Sequence, residues 1–172
     1  MPDAAPLDSS TDPQLFTETR WEYGSGGPQN RSSVVTIDGV LETCLYAEQL
    51  EAAERFYSGV LGLPVVAREA GRHVFFRCGS AMLLVFDPVR TASAPGEVGG
   101  TSVPAHGAHG AGHVCFRVAA EELVAWRERL TRAGIAIEAE IAWPRGGSSL
   151  YTRDPAGNSV EFAPASIWSI HD

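Results

Sequence analysis

Three side chains in this sequence pair metal-competent chemistry with matched placement: Glu42, His113 and Glu161. Each lies in a short run of alternating character, where successive side chains of a strand point to opposite faces. In Leu41-Glu42-Thr43-Cys44-Leu45-Tyr46, one face takes Leu41, Thr43 and Leu45, and the other takes Glu42, Cys44 and Tyr46. Val114, Phe116 and Val118 face a helix layer, which leaves His113, Cys115 and Arg117 on the opposite side. Val160 and Phe162 turn to the core, so Ser159 and Glu161 share the open face of His113. A carboxylate on such a face is costly unless paired or metal-bound, and two that converge raise one another's pKa. A divalent ion resolves both problems, and an imidazole with oxygen donors suits Mn, Fe, Ni, Co or Zn. Singly, a strand Glu is more often solvent-facing and a lone His more often a satisfied polar group; the case rests on their coincidence at matched places.

Other residues could serve the same site. His106 and His109 lie in a glycine-rich stretch just before the second histidine-bearing strand, and His106 follows Pro104-Ala105, which restrains it. A lid there would bring His106 over the site as a general base; the competing reading is a solvated loop. Trp143-Pro144-Arg145-Gly146-Gly147 joins two strands at the rim, where Trp143 could wall a pocket and Arg145 meet an anionic group, or the segment could be only a turn. Tyr46 shares the face of Glu42 and is a further substrate contact.

The elements that position these residues occur twice. Strand 41–46 precedes a helix whose apolar residues Leu50, Ala53, Phe56, Tyr57 and Val60 fall at helical spacing, ended by Leu61-Gly62-Leu63-Pro64. Strands are expected at about 64–69, 73–78 and 81–86. The second half repeats the order: strand 112–118, a helix carrying Leu123, Trp126 and Leu130, and strands at about 135–142, 148–153 and 158–163. Phe75-Phe76-Arg77 and Tyr151-Thr152-Arg153 lie 76 positions apart, as do Phe86 and Phe162, and His113 lies 71 beyond Glu42. Two copies of one β-α-β-β-β unit are implied, paired because either alone would leave a sheet face uncovered. The expected organisation is an N-terminal arm at 1–33, a first module at 34–90, an irregular glycine-rich linker or lid at 91–111, a second module at 112–165 and a tail at 166–172.

The 172 residues suffice for one ordinary domain, with no disulfide or metal needed merely to stay folded. The net charge of −8 argues against nucleic-acid binding. All 13 basic residues are arginine, which excludes Schiff-base chemistry on lysine and the P-loop lysine. No apolar run is long enough to span a bilayer, and the first residues show neither a basic nor an apolar export region. Three cysteines without a CxxC pair do not read as a disulfide framework, so a reducing cytoplasm is the expected location.

Leu50-Glu51-Ala52-Ala53-Glu54-Arg55-Phe56-Tyr57 with Val60-Leu61-Gly62-Leu63, then Gly112-His113-Val114, then Asp154-Pro155-Ala156-Gly157-Asn158-Ser159-Val160-Glu161-Phe162, follow one another over about residues 38 to 165. In order and spacing they resemble the vicinal oxygen chelate superfamily, which includes glyoxalase I, extradiol dioxygenases, fosfomycin-resistance enzymes and bleomycin-resistance proteins. The resemblance implies an α+β fold in which two βαβββ modules form a curved mixed sheet with helices on its outer face. It implies one divalent metal ion per site, held at Glu42, His113 and Glu161, that acts as a Lewis acid on adjacent oxygens of a small-molecule substrate. Isomerase, lyase or dioxygenase chemistry would follow, with Glu161 or Glu42 as base and His106 in reserve. Glyoxalase I also carries a glutamate on the fourth strand of its first module, where this chain is read to have Val85; extradiol enzymes use two His and one Glu, against one His and two Glu here. A homodimer is implied as well, with the site either within one chain or completed by a second. The alternative is a metal-free protein that sequesters a drug, as bleomycin-resistance relatives do, with Glu42 and Glu161 as charge partners of a cation.

Overall fold

In the computed structural model, residues 35–144 and 146–170 are described. The expected arm at 1–33, Arg145 and the last two residues of the tail lie outside them. Strand β1 (Glu42–Tyr46) leads into α1 (Leu50–Glu54), which continues as a π-helical turn over Arg55–Val60. Its apolar side, with Leu50, Ala53, Phe56 and Tyr57, is buried. The sequence pattern gave no sign of the wider turn, because Leu50, Ala53, Phe56 and Tyr57 also fit ordinary helical spacing. Gly62 then takes φ +84° and Pro64 prevents continuation. Strands β2 (Val65–Glu69), β3 (His73–Cys78) and β4 (Ala81–Phe86) complete the first module.

The stretch from 91 to 111, expected to be irregular, is more ordered than its glycines suggest. Helix α2 (Pro88–Ser93) opens on Asp87, whose side chain accepts from the Arg90 N–H at 2.8 Å, with proline at the first helical position. Strands β5 (Glu97–Val98) and β6 (Thr101–Ser102) form a two-stranded ribbon across Gly99-Gly100, both at positive φ. Gly107 packs so closely on α2 that a Cβ would stand 2.6 Å from the Pro88 carbonyl oxygen.

The second module has β7 (His113–Arg117), a 3₁₀ turn (Ala120–Glu122), α3 (Leu123–Arg132), β8 (Ala139–Ala142), β9 (Ser148–Arg153) and β10 (Ser159–Ala163). The eighth strand starts at Ala139, four residues later than expected, because Ile135 and Ile137 pack on the core from irregular backbone after Gly134. The fold is thus α+β, with two βαβββ modules and one four-stranded mixed sheet in each. The orders are β1-β4-β3-β2 and β7-β10-β9-β8. In both, the first strand lies parallel to the last and the other pairs are antiparallel.

One hydrophobic core joins the halves: Leu45, Phe56, Tyr57, Phe76, Leu83 and Val85 from the first, Phe116, Leu130, Leu150, Val160 and Phe162 from the second. Trp126 of α3 stacks on Phe162 at 4.8 Å between ring centroids. Arg129 crosses to the first module, where its Nε–H donates to the Val60 carbonyl at 2.5 Å.

Candidate functional site

The register of β10 frames Glu161. Its parallel neighbour β7 sets His113 opposite Ser159 and Cys115 opposite Glu161; on the other side β9 sets Tyr151 opposite Glu161. Alternation then gathers His113, Cys115, Ser149, Tyr151 and Glu161 on the open face. Glu161 is only 6% exposed. His113 Nε2 stands 3.3 Å from Glu161 Oε2, with the imidazole half exposed. The other oxygen, Oε1, accepts a short hydrogen bond from the Ser149 hydroxyl, which in turn accepts from the Trp143 indole N–H at 2.7 Å. The His113 ring lies nearly parallel to that of Tyr151, with centroids 6.4 Å apart.

Two acidic protons on this face are held tightly. The Tyr151 phenol is pushed up to about 12, first by burial and then by its hydrogen bond to Glu161 and that group's charge. Cys115 is exposed as a residue, yet loss of water around its sulfur, followed by the nearby Glu161, pushes the thiol up to about 12. Both therefore present O–H and S–H donors near neutral pH, and Cys115 is no thiolate nucleophile.

Glu42 does not join this group. It is exposed on β1 of the first sheet, opposite Met82. Among the described residues no group of three or more His, Cys, Asp or Glu is placed to hold a metal ion. The donor chemistry fits a divalent ion in part: an imidazole nitrogen and a carboxylate oxygen stand side by side, the pairing such ions take from proteins. Of the three residues expected as ligands, His113 and Glu161 stand together within one chain.

The face of the first sheet is chemically different at equivalent places. Glu42 pairs with Met82 as His113 pairs with Ser159, so Leu84 occupies the place of Glu161. The expectation of Val85 at that place is corrected by one residue. From β3 to β9 the repeat offset is 76, as Arg77 and Arg153 show, but the β9–β10 turn holds one residue more than the β3–β4 turn and the offset becomes 77. Burial agrees: Leu83 and Val85 enter the core, as Val160 and Phe162 do. Around Leu84 stand rings instead of donors. Phe75 meets Phe86 edge-on at 5.1 Å, His73 stacks on Phe75 at 4.1 Å, and His106 meets Phe86 edge-on at 4.7 Å.

His106 is held in this aromatic group by a hydrogen bond between its Nδ1 and the Tyr46 hydroxyl, 2.9 Å long. It and Tyr46 therefore lie with the first sheet's face, while Trp143 lies with the second. His109 lines a separate cleft of about 380 Å³ beside Tyr46, Gln49, Pro88 and Pro155. Sequence reasoning missed Ser149 and Tyr151, although strand alternation opposite Glu161 would have placed both on its face.

A buried polar knot fixes the start of β10. Asp154 accepts from the Tyr57 hydroxyl at 2.8 Å, from the Asn158 backbone and side-chain N–H groups at 2.8 and 2.9 Å, and from the Ala156 N–H at 2.9 Å. Asn158 also donates to the Tyr46 carbonyl at 3.1 Å and accepts from the Gly112 N–H at 2.7 Å. One turn thus holds α1's π turn, the end of β1 and the residue before His113.

Comparison with known proteins agrees with this architecture. The pattern of the Glyoxalase/Bleomycin resistance protein/Dioxygenase superfamily matches residues 38–162. A crystal structure of lactoylglutathione lyase from Agrobacterium tumefaciens is 42% identical, with a TM-score of 0.73, over 79% of this chain and 100% of that one. A glyoxalase/bleomycin resistance protein/dioxygenase from Nocardioides shares the fold at 23% identity and TM-score 0.58, over 77% of this chain and 86% of that one. A putative glyoxalase family protein from Bacillus anthracis does so at 18% identity and TM-score 0.57, over 76% and 97%. No curated protein matches the chain. With the repeated βαβββ module, the sheet order and the matched residues in agreement, this chain belongs to the glyoxalase/bleomycin resistance protein/dioxygenase superfamily.

Proposed function

We propose that the protein is a divalent-metal-dependent lyase or isomerase of the glyoxalase type, acting on a small molecule that offers two adjacent oxygens. The observation that carries this reading is the pair of His113 Nε2 and Glu161 Oε2, 3.3 Å apart on an open sheet face. The 42% identity to a lactoylglutathione lyase supports lyase chemistry over ring cleavage. Since Glu42 stands apart from the pair within one chain, the reading requires it to come from a second copy, so that the working unit is a homodimer with two sites.

When bound, the ion would polarise two neighbouring substrate oxygens and stabilise the negative charge that develops on them. The protein's own groups supply the rest. Glu161, with Oε1 engaged by Ser149, has Oε2 beside His113, and that oxygen would have to be released from any bound ion before it takes a proton from the substrate carbon. Tyr151, kept protonated, donates its O–H to Glu161 and helps to hold that carboxylate in place. On the copy that supplies Glu42, Tyr46, Phe75, Phe86 and His106 would form a largely aromatic wall for the remainder of the substrate.

Elemental analysis of protein purified without chelators tests the reading. One divalent ion per chain is expected, lost in Glu42→Ala, His113→Ala and Glu161→Ala while circular dichroism stays unchanged. Full metal content in all three variants, or none in the wild type after incubation with Zn²⁺, Ni²⁺, Mn²⁺, Fe²⁺ and Co²⁺, would sink it.

One observation favours the second reading, a metal-free binding protein. Glu161 already has partners in His113 and Ser149, and no third donor completes a site among the described residues. A wild type that takes up no metal but binds a cationic aromatic compound would select this reading.

A further inference from the structure

The carboxylate of Glu161 is not free to rotate, and the group that fixes it ends on the rim of the sheet. The order of its hydrogen bonds has only one polarity. An indole N–H donates and cannot accept, so the Ser149 hydroxyl oxygen receives from Trp143 at 2.7 Å. The hydroxyl proton then goes to Glu161 Oε1. Oε1 is thereby committed to the serine, and Oε2 is left on the side where His113 stands at 3.3 Å. Ser149 is 2% exposed and Glu161 6%, so the bond between them is shielded from water.

The backbone aims the indole. Trp143 closes a tight turn, with its N–H donating to the Gly147 carbonyl at 3.0 Å and its carbonyl accepting from Gly146 at 2.9 Å. Gly147 has φ +80°, and a Cβ there would lie 2.9 Å from Ile167 Cγ2, so the turn is seated against the 3₁₀ segment Ala165–Trp168 and admits only glycine. The relay thus runs from a braced surface turn to the buried oxygen. The first module has no counterpart, since Leu84 stands where Glu161 does.

We infer that Trp143 and Ser149 are positioning residues: the one-way relay from indole to hydroxyl to carboxylate fixes the orientation of Glu161, with Oε1 held by Ser149 and Oε2 turned toward His113. This rests on the metal reading above for its consequence, though the relay itself does not. Groups that orient a ligating carboxylate typically change metal affinity 10- to 100-fold when removed.

Two readouts separate the relay from that reading. The first is the indole N–H resonance of Trp143 in a ¹H–¹⁵N spectrum without metal, assigned by its loss in Trp143→Phe. It is expected to move in both Ser149→Ala and Glu161→Gln. The second is calorimetric titration with Mn²⁺: Ser149→Ala is expected to bind about 10- to 100-fold more weakly than wild type, and Ser149→Thr, which keeps the hydroxyl, to recover most of the loss. An indole resonance unmoved in both variants overturns the inference, as does a Ser149→Ala protein that binds Mn²⁺ as tightly as wild type. A wild type that binds no Mn²⁺ counts against the metal reading, and the indole resonance then decides the relay alone.

Discussion

Leu84 and Glu161 occupy the same place in the two modules, each on the last strand, two residues beyond the partner of Glu42 or His113. The duplicated frame therefore carries a carboxylate with donors in one copy and a leucine among aromatic rings in the other. Installing the missing acid should expose the difference. Leu84→Glu would bury a carboxylate beside Phe75 and Phe86, at a position 6% exposed, at a cost of several kcal/mol without a partner. The melting temperature should fall, and Mn²⁺ or Ni²⁺ should raise it more in the variant than in the wild type. Equal metal effects on both would mean that Leu84 and Glu42 do not face a common ion.

Complementation tests where the third ligand comes from. If Glu42 completes the His113–Glu161 pair of another copy, a pure Glu42→Ala dimer and a pure His113→Ala dimer each carry their defect in both sites. In a mixed dimer both defects fall in one site and leave the other whole. Co-expression of the two variants should therefore restore about one quarter of the wild-type metal content after random pairing. No gain over the separate variants would require the three residues to act within one chain.

The Asp154 knot predicts where stability is most sensitive. Tyr57→Phe removes one of four donors to a carboxylate that is 4% exposed, and should cost about 1–3 kcal/mol in urea unfolding. Asp154→Ala strands the Tyr57 hydroxyl and the Asn158 backbone N–H together, so its loss should exceed that of Tyr57→Phe. Burial and the adjacent Asp154 both push the Tyr57 phenol well above its usual range. The phenolate is thus favoured in the unfolded chain, and stability should decline once the pH rises past about 10. Tyr57→Phe should flatten that alkaline limb.

His73 gives the opposite limb. Burial lowers its imidazole below the ordinary value; Glu69 pulls it back up and Arg72 pushes it further down. Its Nδ1 is buried without a hydrogen-bond partner. The folded state thus binds a proton less readily than the unfolded chain. The His73 contribution is full above about pH 6.5 and is lost as the pH falls toward the folded-state value, with no further change below it. Urea midpoints at pH 7.5, 6.5 and 5.5 should fall less steeply in His73→Leu than in the wild type. Parallel slopes would remove His73 from the acid response.

Much of the frame was legible because apolar alternation records which face of a strand is buried, and that record is local. It set the strand at His113–Arg117 to within one residue and turned His113 and Glu161 to the same face. The order within the loop at 91–111 was not legible, since α2 rests on a short cap at Asp87 and on the contact of Gly107 with Pro88, neither of which leaves a periodic trace. The match of Glu161 to Val85 slipped by one because a single extra turn residue shifts strand register without changing composition. The separation of Glu42 from the pair depends on how two sheets are set against each other, which no single strand encodes. Tyr151 and Ser149 were legible in principle, since antiparallel pairing with the Glu161 strand fixes their side, but their roles come from hydrogen-bond direction.

The Asp154–Asn158 turn also constrains how two copies could come together. Its bonds to Tyr57 and to the Tyr46 carbonyl sit between the modules and are shielded from water. Trading halves between finished molecules would have to rupture that latch, so assembly should proceed by docking of chains already closed. Subunits mixed after purification should then exchange at a rate set by dissociation, independent of global unfolding.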